Sequence, residues 1–126
     1  MKDKLVGAWV LEDFQIFPKS GEPARPWGSD MSGTLIYEPS GYMSVAINRK
    51  PVESGSAQAT LDSLLFYAGT FSIQDNCIRH QVTQASNPDR IGKEMLRFAE
   101  FDQTSMILTT PDEAFGKAKL VWRKVG

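Results

Sequence analysis

Residues 33–48 read GTLIYEPSGYMSVAIN, and they carry the clearest structural pattern in the chain. We predict two strands in it, at residues 33–37 and 42–48. The four residues between them, Glu38-Pro39-Ser40-Gly41, place a proline where a turn fixes φ and a glycine where φ becomes positive. The stretch therefore predicts a β-hairpin.

Turn-forming residues recur at short intervals on both sides of this hairpin, as is typical of all-β proteins. Pro18 ends a first strand, because proline cannot donate to a strand ladder. The predicted strands are residues 7–17, 33–37, 42–48, 69–73, 77–85, 93–101, 104–110 and 118–125.

The pattern changes once, between the third and the fourth predicted strand. Thr60 is a suitable N-cap, and Leu61, Leu64 and Leu65 follow at helical spacing. We predict one short helix at residues 60–67, which would lie over a mouth of the barrel or cover apolar surface.

Strands in near-neighbour order form an up-and-down sheet, and such a sheet tends to close because closure removes its exposed edges. We therefore expect an all-β fold: a single domain over residues 1–126, built as an eight-stranded antiparallel β-barrel with that helix. A barrel of this size has an interior that suits one small ligand.

Composition limits the partners and the compartment. The 126 residues carry a formal net charge of -1, so the concentrated basic face of a nucleic-acid-binding protein is not expected. No apolar run is long enough to cross a bilayer, so a membrane partner is not expected either. Cys77 is the only cysteine and the N-terminus lacks a signal-peptide pattern, which predicts a cytoplasmic protein.

The same residue counts argue against a metal or a cofactor. His80 is the only histidine, so neither a multi-histidine site nor a zinc ligand set with Cys77 is expected. Cys77 and His80 also lie three residues apart on one strand and would point to opposite faces, which excludes a nucleophile pair. The sequence contains no nucleophile elbow and no glycine-rich phosphate loop.

One pair of polar residues is a candidate site. If the loop after the fifth strand is symmetric about Pro88-Asp89, His80 lies directly across from Arg97 and the two share a face. Turned inward, the Arg97 guanidinium would need a partner. That partner is Asp13, if the first strand has no bulge, or an oxygen atom of a ligand. The alternative is an internal hydrogen-bond network that only fixes the register.

Other residues are assigned by strand spacing. Five aromatic, Met and Val side chains are candidates either for the cavity lining or for the ordinary hydrophobic core. They are Tyr37, Met43, Val45, Tyr67 and Phe71. We interpret Trp9 and Arg123 as a structural cation–π pair that plugs one end of the barrel.

The chain resembles a known family at both ends. Gly7-Ala8-Trp9 is similar to the Gly-x-Trp opening of the lipocalins. Leu120-Val121-Trp122-Arg123 is similar to their closing strand, whose Arg packs on the Trp of the Gly-x-Trp opening. The order of further motifs resembles the small bacterial and fungal lipocalin-like domain family. These motifs are Gly33-Thr34-Leu35-Ile36-Tyr37, Gly41-Tyr42-Met43-Ser44, Tyr67-Ala68-Gly69, His80, Pro88, Gly92, Arg97 and Leu108-Thr109.

The resemblance implies a lipocalin-like barrel and, for function, a binding or cyclase role. Members of the family often have a second histidine where this chain has Gln81, so a mechanism that needs two imidazoles is not expected.

Three functions follow as hypotheses. The first is a carrier or sensor that binds a small, largely apolar molecule with an oxygen-bearing end, oriented by Arg97 and His80. The second is a cofactor-independent isomerase or cyclase acting on a polyketide-like or unsaturated carbonyl substrate, with His80 as proton shuttle and Arg97 stabilising an enolate. The third is a structural or self-associating module with a filled interior. The sequence leaves catalysis and a homodimer open.

Overall fold

The computed structural model describes residues 1–25, 31–49, 64–112 and 116–126. In these ranges a short helix, α1 (Lys2–Leu5), precedes eight strands. The strands are β1 (Gly7–Pro18), β2 (Met31–Tyr37), β3 (Tyr42–Arg49), β4 (Leu64–Gln74), β5 (Cys77–Ala85), β6 (Glu94–Asp102), β7 (Ser105–Thr109) and β8 (Gly116–Lys124). A single 3-10 turn, Pro88–Arg90, interrupts the connection between β5 and β6.

Each strand pairs with the next one along the chain, and β8 pairs with β1. All of these pairings are antiparallel, so the sheet closes into a barrel without free edges. The predicted fold class is confirmed. In the described ranges, no helix has the length and apolar character that a membrane span requires.

The hairpin of β2 and β3 shows how the core is built. Leu35 and Tyr37 are buried, whereas Ile36 between them is exposed. Leu35 faces Val45 across the ladder and Tyr37 faces Met43, so the inward side chains of both strands meet. Alternation of this kind directs apolar side chains into the barrel interior.

The predicted helix at residues 60–67 is corrected in part. Residues 64–67 form the beginning of β4, where they pair with β3. This run contains aromatic residues that fit a half-buried ladder, and pairing with β3 overrides the helical spacing of its leucines. Residues 60–63 lie outside the described ranges. The α-helix of the described residues is α1 at the N-terminus.

Two bulges set which side chains face inward. The register of β1 against β8 shifts between Leu11 and Asp13, which leaves Glu12 as an extra residue. The register of β4 against β5 shifts between Ala68 and Gly69. A Cβ atom at Gly69 would overlap the backbone carbonyl oxygen of Gln81, so the second bulge requires glycine.

One end of the barrel is closed by α1. The fully buried side chain of Leu5 packs there, and the Trp9 Nε1–H donates a hydrogen bond of 2.9 Å to the Leu5 carbonyl oxygen. The cation over the Trp9 ring is Lys124, whose Nζ lies 5.5 Å from the ring centroid.

The predicted pair of Trp9 and Arg123 is therefore wrong. Arg123 pairs with Val10 in the register of β1 and β8, which puts its side chain on the outer face. There the Arg123 Nε lies 3.3 Å from a carboxylate oxygen of Glu12.

Candidate functional site

A cavity of about 210 Å³ lies inside the barrel. Its wall is formed by Phe14, Leu35, Val45, Ile47, Leu65, Tyr67, His80, Met95, Arg97, Leu108, Thr110, Ala118, Leu120 and Trp122. Several of these residues lie at the end of β3, at the beginning of β4 and at the beginning of β8. These strand ends are at the opposite end of the barrel from α1. The cavity therefore occupies the opposite half of the barrel.

The predicted lining residues divide between the two halves. The cavity wall includes Val45 and Tyr67. Tyr37, Met43 and Phe71 are buried in the core cluster but do not line the cavity. They fill the barrel toward the closed end, where the rings of Tyr37 and Phe71 meet edge to face with centroids 4.9 Å apart.

Arg97 brings a positive charge to this apolar wall. Its Nη1 donates a hydrogen bond of 2.7 Å to the carbonyl oxygen of Leu96. No carboxylate of the described residues lies within 4.0 Å of the guanidinium. The cavity therefore holds a cation whose charge is not neutralised by the described part of the protein.

Asp13, the predicted protein partner of Arg97, does not reach it. The bulge at Glu12 changes the phase of β1, so Phe14 rather than Asp13 faces the cavity. Asp13 instead accepts hydrogen bonds of 3.0 and 3.1 Å from Arg25. This ion pair lowers the pKa of Asp13.

The predicted position of His80 directly opposite Arg97 is also wrong, although both residues line the cavity. In the observed register His80 pairs with Met95 and Arg97 pairs with Ile78. The physical reason is the connection after β5, where Val82 exchanges backbone hydrogen bonds with Gly92 and Lys93. The register therefore shifts by two residues, and a shift of two keeps both side chains on the inner face.

His80 is held by two tyrosines. The hydroxyl of Tyr37 lies 2.6 Å from Nε2, and the hydroxyl of Tyr67 lies 2.6 Å from Nδ1. All three side chains are buried, with exposed fractions of 1% for Tyr37, 4% for Tyr67 and 1% for His80. Both ring nitrogens are hydrogen-bonded to tyrosines, so neither is free to hydrogen-bond a molecule in the cavity.

Burial determines the protonation states in this cluster. It lowers the pKa of His80 to about 3, and the positive charge of Arg97 adds to that effect. Burial raises the pKa of Tyr37 well above its usual value and also raises the pKa of Tyr67. At neutral pH the imidazole and both phenols are uncharged.

Two further polar groups on the wall belong to Trp122 and Thr110, which were not predicted from the sequence as site residues. The buried Trp122 Nε1–H has no hydrogen-bond partner among the described residues. The hydroxyl oxygen of Thr110 accepts a bond of 2.9 Å from the Ala118 amide. Trp122 keeps the phase of Ala118 and Leu120 along β8, and this spacing was the available signal that it faces the interior.

Metal ligation has no support in this site. Among the described residues, no group of three or more His, Cys, Asp or Glu side chains lies together as a metal would require. The described lining residues include one imidazole and no carboxylate or thiol.

Comparison with known proteins agrees with the architecture. The family model described as a lipocalin-like domain matches residues 6–125. No curated protein matches the chain. The crystal structure of a lipocalin-like protein from Bacteroides uniformis aligns with a TM-score of 0.56 and 18% sequence identity, covering 97% of this chain and 99% of that one.

Two more solved structures share the fold. Fatty-acid-binding protein 1 from Echinococcus granulosus aligns with a TM-score of 0.51 and 13% identity, covering 98% of this chain and 99% of that chain. A redesigned beta barrel aligns with a TM-score of 0.53 and 9% identity, covering 98% of this chain and 94% of that one. At these identities the likeness concerns the fold.

Proposed function

The chain belongs to the lipocalin-like domain family, and we propose that its barrel binds a small, largely apolar molecule with an oxygen-bearing end, as a carrier or a sensor. The observation that carries this proposal is Arg97, a guanidinium on the wall of an apolar cavity with no carboxylate of the described residues beside it. Arg97 is half-buried, so its charge loses part of its hydration, and a partner inside the cavity would offset that loss. An acidic or carbonyl oxygen of a ligand supplies one.

The size of the cavity indicates the size of the ligand. A dry cavity of about 150 Å³ lined by Leu, Ile and Phe binds benzene. The cavity here measures about 210 Å³, which leaves room for one ring or a short branched chain together with a carboxylate. Val45 and Leu108 are among the apolar residues we propose to contact the body of the ligand, with Arg97 and Tyr67 at its oxygen-bearing end.

The name of one structural neighbour indicates a ligand with an apolar body and an acidic end. It is a fatty-acid-binding protein, and a fatty acid combines an apolar body with a carboxylate. The shared fold does not carry the ligand over, but the apolar wall and Arg97 of this chain suit the same class of molecule.

The isomerase or cyclase hypothesis has weaker support, because the described cavity wall offers no free base. Both nitrogens of His80 are in hydrogen bonds, and its pKa of about 3 leaves it a poor proton acceptor at neutral pH. A binding role needs no base. Turnover of an unsaturated ketone by the purified protein would restore the enzyme hypothesis.

The cytoplasmic location and the absence of a nucleic-acid partner stay predictions from the sequence, which leaves a homodimer open. A lone cysteine, Cys77, suits a reducing compartment.

The test uses three probes of similar size: benzoate, toluene and benzylamine. Titration of the ¹⁵N-labelled protein followed by amide NMR shifts should show benzoate bound most tightly and benzylamine most weakly, with shifts at cavity residues. In Arg97→Met, benzoate affinity should fall about tenfold to a hundredfold, because a hydrogen bond to a charged group contributes about 1.5–3 kcal/mol.

The matched control is Arg79→Met, which removes the same charge from the outer face of β5, where Arg79 pairs with Glu94. It should leave benzoate affinity unchanged. The proposal is wrong if wild-type protein binds none of the three probes, or if both arginine variants weaken benzoate equally.

A further inference from the structure

The cluster of Tyr37, His80 and Tyr67 has three polar protons, two on hydroxyls and one on the neutral imidazole, but only two hydrogen bonds join its members. Two hydroxyls each lie 2.6 Å from a ring nitrogen of His80. A neutral imidazole has one N–H and one unprotonated nitrogen. One tyrosine must therefore donate to His80, and the other must accept from it.

The two hydroxyls differ in their surroundings. Tyr37 does not line the cavity, and Nε2 of His80 is the one hydrogen-bond partner of its hydroxyl among the described residues. If Nε2 carried the proton, the Tyr37 O–H would be buried without an acceptor, which is unfavourable. Tyr67 lies on the cavity wall, where a free O–H can reach a bound molecule.

We infer that His80 carries its proton on Nδ1, so that Tyr37 donates to Nε2, Nδ1 donates to Tyr67, and Tyr67 donates its own O–H to the ligand. The inference about the ligand rests on the proposed function, whereas the position of the proton on His80 does not. In such a chain each hydrogen bond polarises the next one, so Tyr67 becomes a stronger donor than an isolated phenol.

The other polar groups on the wall also donate. The Trp122 Nε1–H is buried and has no partner among the described residues. Arg97 has donors only, and the oxygen of Thr110 already accepts from the Ala118 amide. With Tyr67 donating as well, the cavity presents an excess of donors to its ligand.

The chemistry of the ligand follows from this excess. A carboxylate has two oxygens that accept several hydrogen bonds and has no proton of its own to satisfy. An alcohol brings a further donor into a wall with few acceptors, and an amine brings a positive charge toward Arg97. We therefore assign the oxygen-bearing end of the ligand to a carboxylate.

The proton position can be measured directly. His80 is the only histidine in the sequence, so a long-range ¹H–¹⁵N spectrum of untagged protein contains one imidazole. We expect a pyrrole-like Nδ1 resonance and a pyridine-like Nε2 resonance at neutral pH. The reverse assignment would overturn the inference even if the protein binds benzoate.

The role of Tyr67 is tested with Tyr67→Phe, and Tyr42→Phe is the control because Tyr42 is 64% exposed. We expect Tyr67→Phe to weaken benzoate binding about tenfold to a hundredfold and to leave toluene binding unchanged. Benzyl alcohol should bind more weakly than benzoate to the wild-type protein.

The outcomes separate the two proposals. Benzoate binding that depends on Arg97 but not on Tyr67 would leave the proposed function standing and refute the donor role of Tyr67. If the wild-type protein binds no probe, the proposed function and the ligand role of Tyr67 fail together. The imidazole spectrum then still decides the direction of the hydrogen-bond chain.

Discussion

Arg97 and His80 face the same interior from neighbouring strands, with Arg97 paired to Ile78 and His80 paired to Met95. They are thus one inward position apart. Burial and then the positive charge of the Arg97 guanidinium lower the pKa of His80. The two groups nevertheless have different partners, since His80 is bonded to tyrosines and Arg97 to a backbone carbonyl.

The first prediction concerns pH. The pKa of His80 is about 3 in the folded protein and about 6.5 in an unfolded chain. Between these values only the unfolded state binds the proton, so stability is fully present above pH 6.5 and falls as the pH decreases. The groups that face the ring are Tyr37, Tyr67 and the guanidinium of Arg97. Burial raises the pKa of both tyrosines, so neither titrates in this window.

We expect the free energy of unfolding to decrease by up to about 1.4 kcal/mol per unit between pH 6.5 and 5. Urea unfolding of the wild-type protein and of His80→Gln measures the difference. The variant should show a shallower dependence in that window, whereas equal slopes would show that His80 titrates normally in the folded state.

The second prediction compares two buried tryptophans. Trp9 donates its N–H to Leu5, whereas the Trp122 N–H has no partner among the described residues. Trp9→Phe should therefore cost about 1–3 kcal/mol more free energy of unfolding than Trp122→Phe, because it leaves a buried acceptor without its donor. Urea unfolding followed by circular dichroism provides the comparison. A larger loss for Trp122→Phe would mean that its N–H is satisfied in the folded protein.

The third prediction concerns the cavity. Ala118 lines it, so Ala118→Leu should fill part of the empty space, raise the free energy of unfolding by about 1 kcal/mol and weaken benzoate binding. Ala99 is also buried but packs in the filled core, and Ala99→Leu should cost about 1–3 kcal/mol. Thermal unfolding and NMR titration of both variants provide the measurements. Equal destabilisation by the two substitutions would argue that no such space exists.

The fourth prediction separates steric contact from backbone conformation. Gly69→Ala places a methyl group on the Gln81 carbonyl and should cost at least about 3 kcal/mol. Gly92 has φ of +85° with no atom near its missing Cβ, so Gly92→Ala should cost only about 1 kcal/mol. Chemical unfolding curves rank the two. A tolerated Gly69→Ala would mean that the β4–β5 bulge adapts.

Sequence patterns predicted the strands well because each inward side chain repeats every second residue, as Leu35 and Tyr37 do. The same rule placed His80 and Arg97 on one shared face, since a register error of two residues does not change the face. It left open whether that face points inward, which the structure shows. The rule gave the wrong face for Asp13, because the extra residue Glu12 reverses the inward and outward alternation along β1. No residue type in this stretch indicates the bulge.

The hydrogen bonds between His80 and its two tyrosines could not be predicted from strand spacing. Tyr37, Tyr67 and His80 lie on β2, β4 and β5, and β2 is not a neighbour of the other two strands. Their hydroxyls meet His80 across the interior, so the contact depends on barrel curvature and rotamers rather than on spacing. The pair of Trp9 with Arg123 failed for a related reason, since one residue along β8 decides between the inner and the outer face.

Pairing of β1 with β8 has a consequence for how the molecule folds. The contact between Leu11 and Trp122 joins residues at opposite ends of the described chain, and contacts of such high sequence separation make folding slow. During synthesis the edge of β1 that pairs with β8 stays unpaired, and its apolar face stays exposed, until β8 has left the ribosome. Apolar strand faces that are exposed in this interval are prone to aggregation, and the internal cavity forms only when β1 and β8 pair.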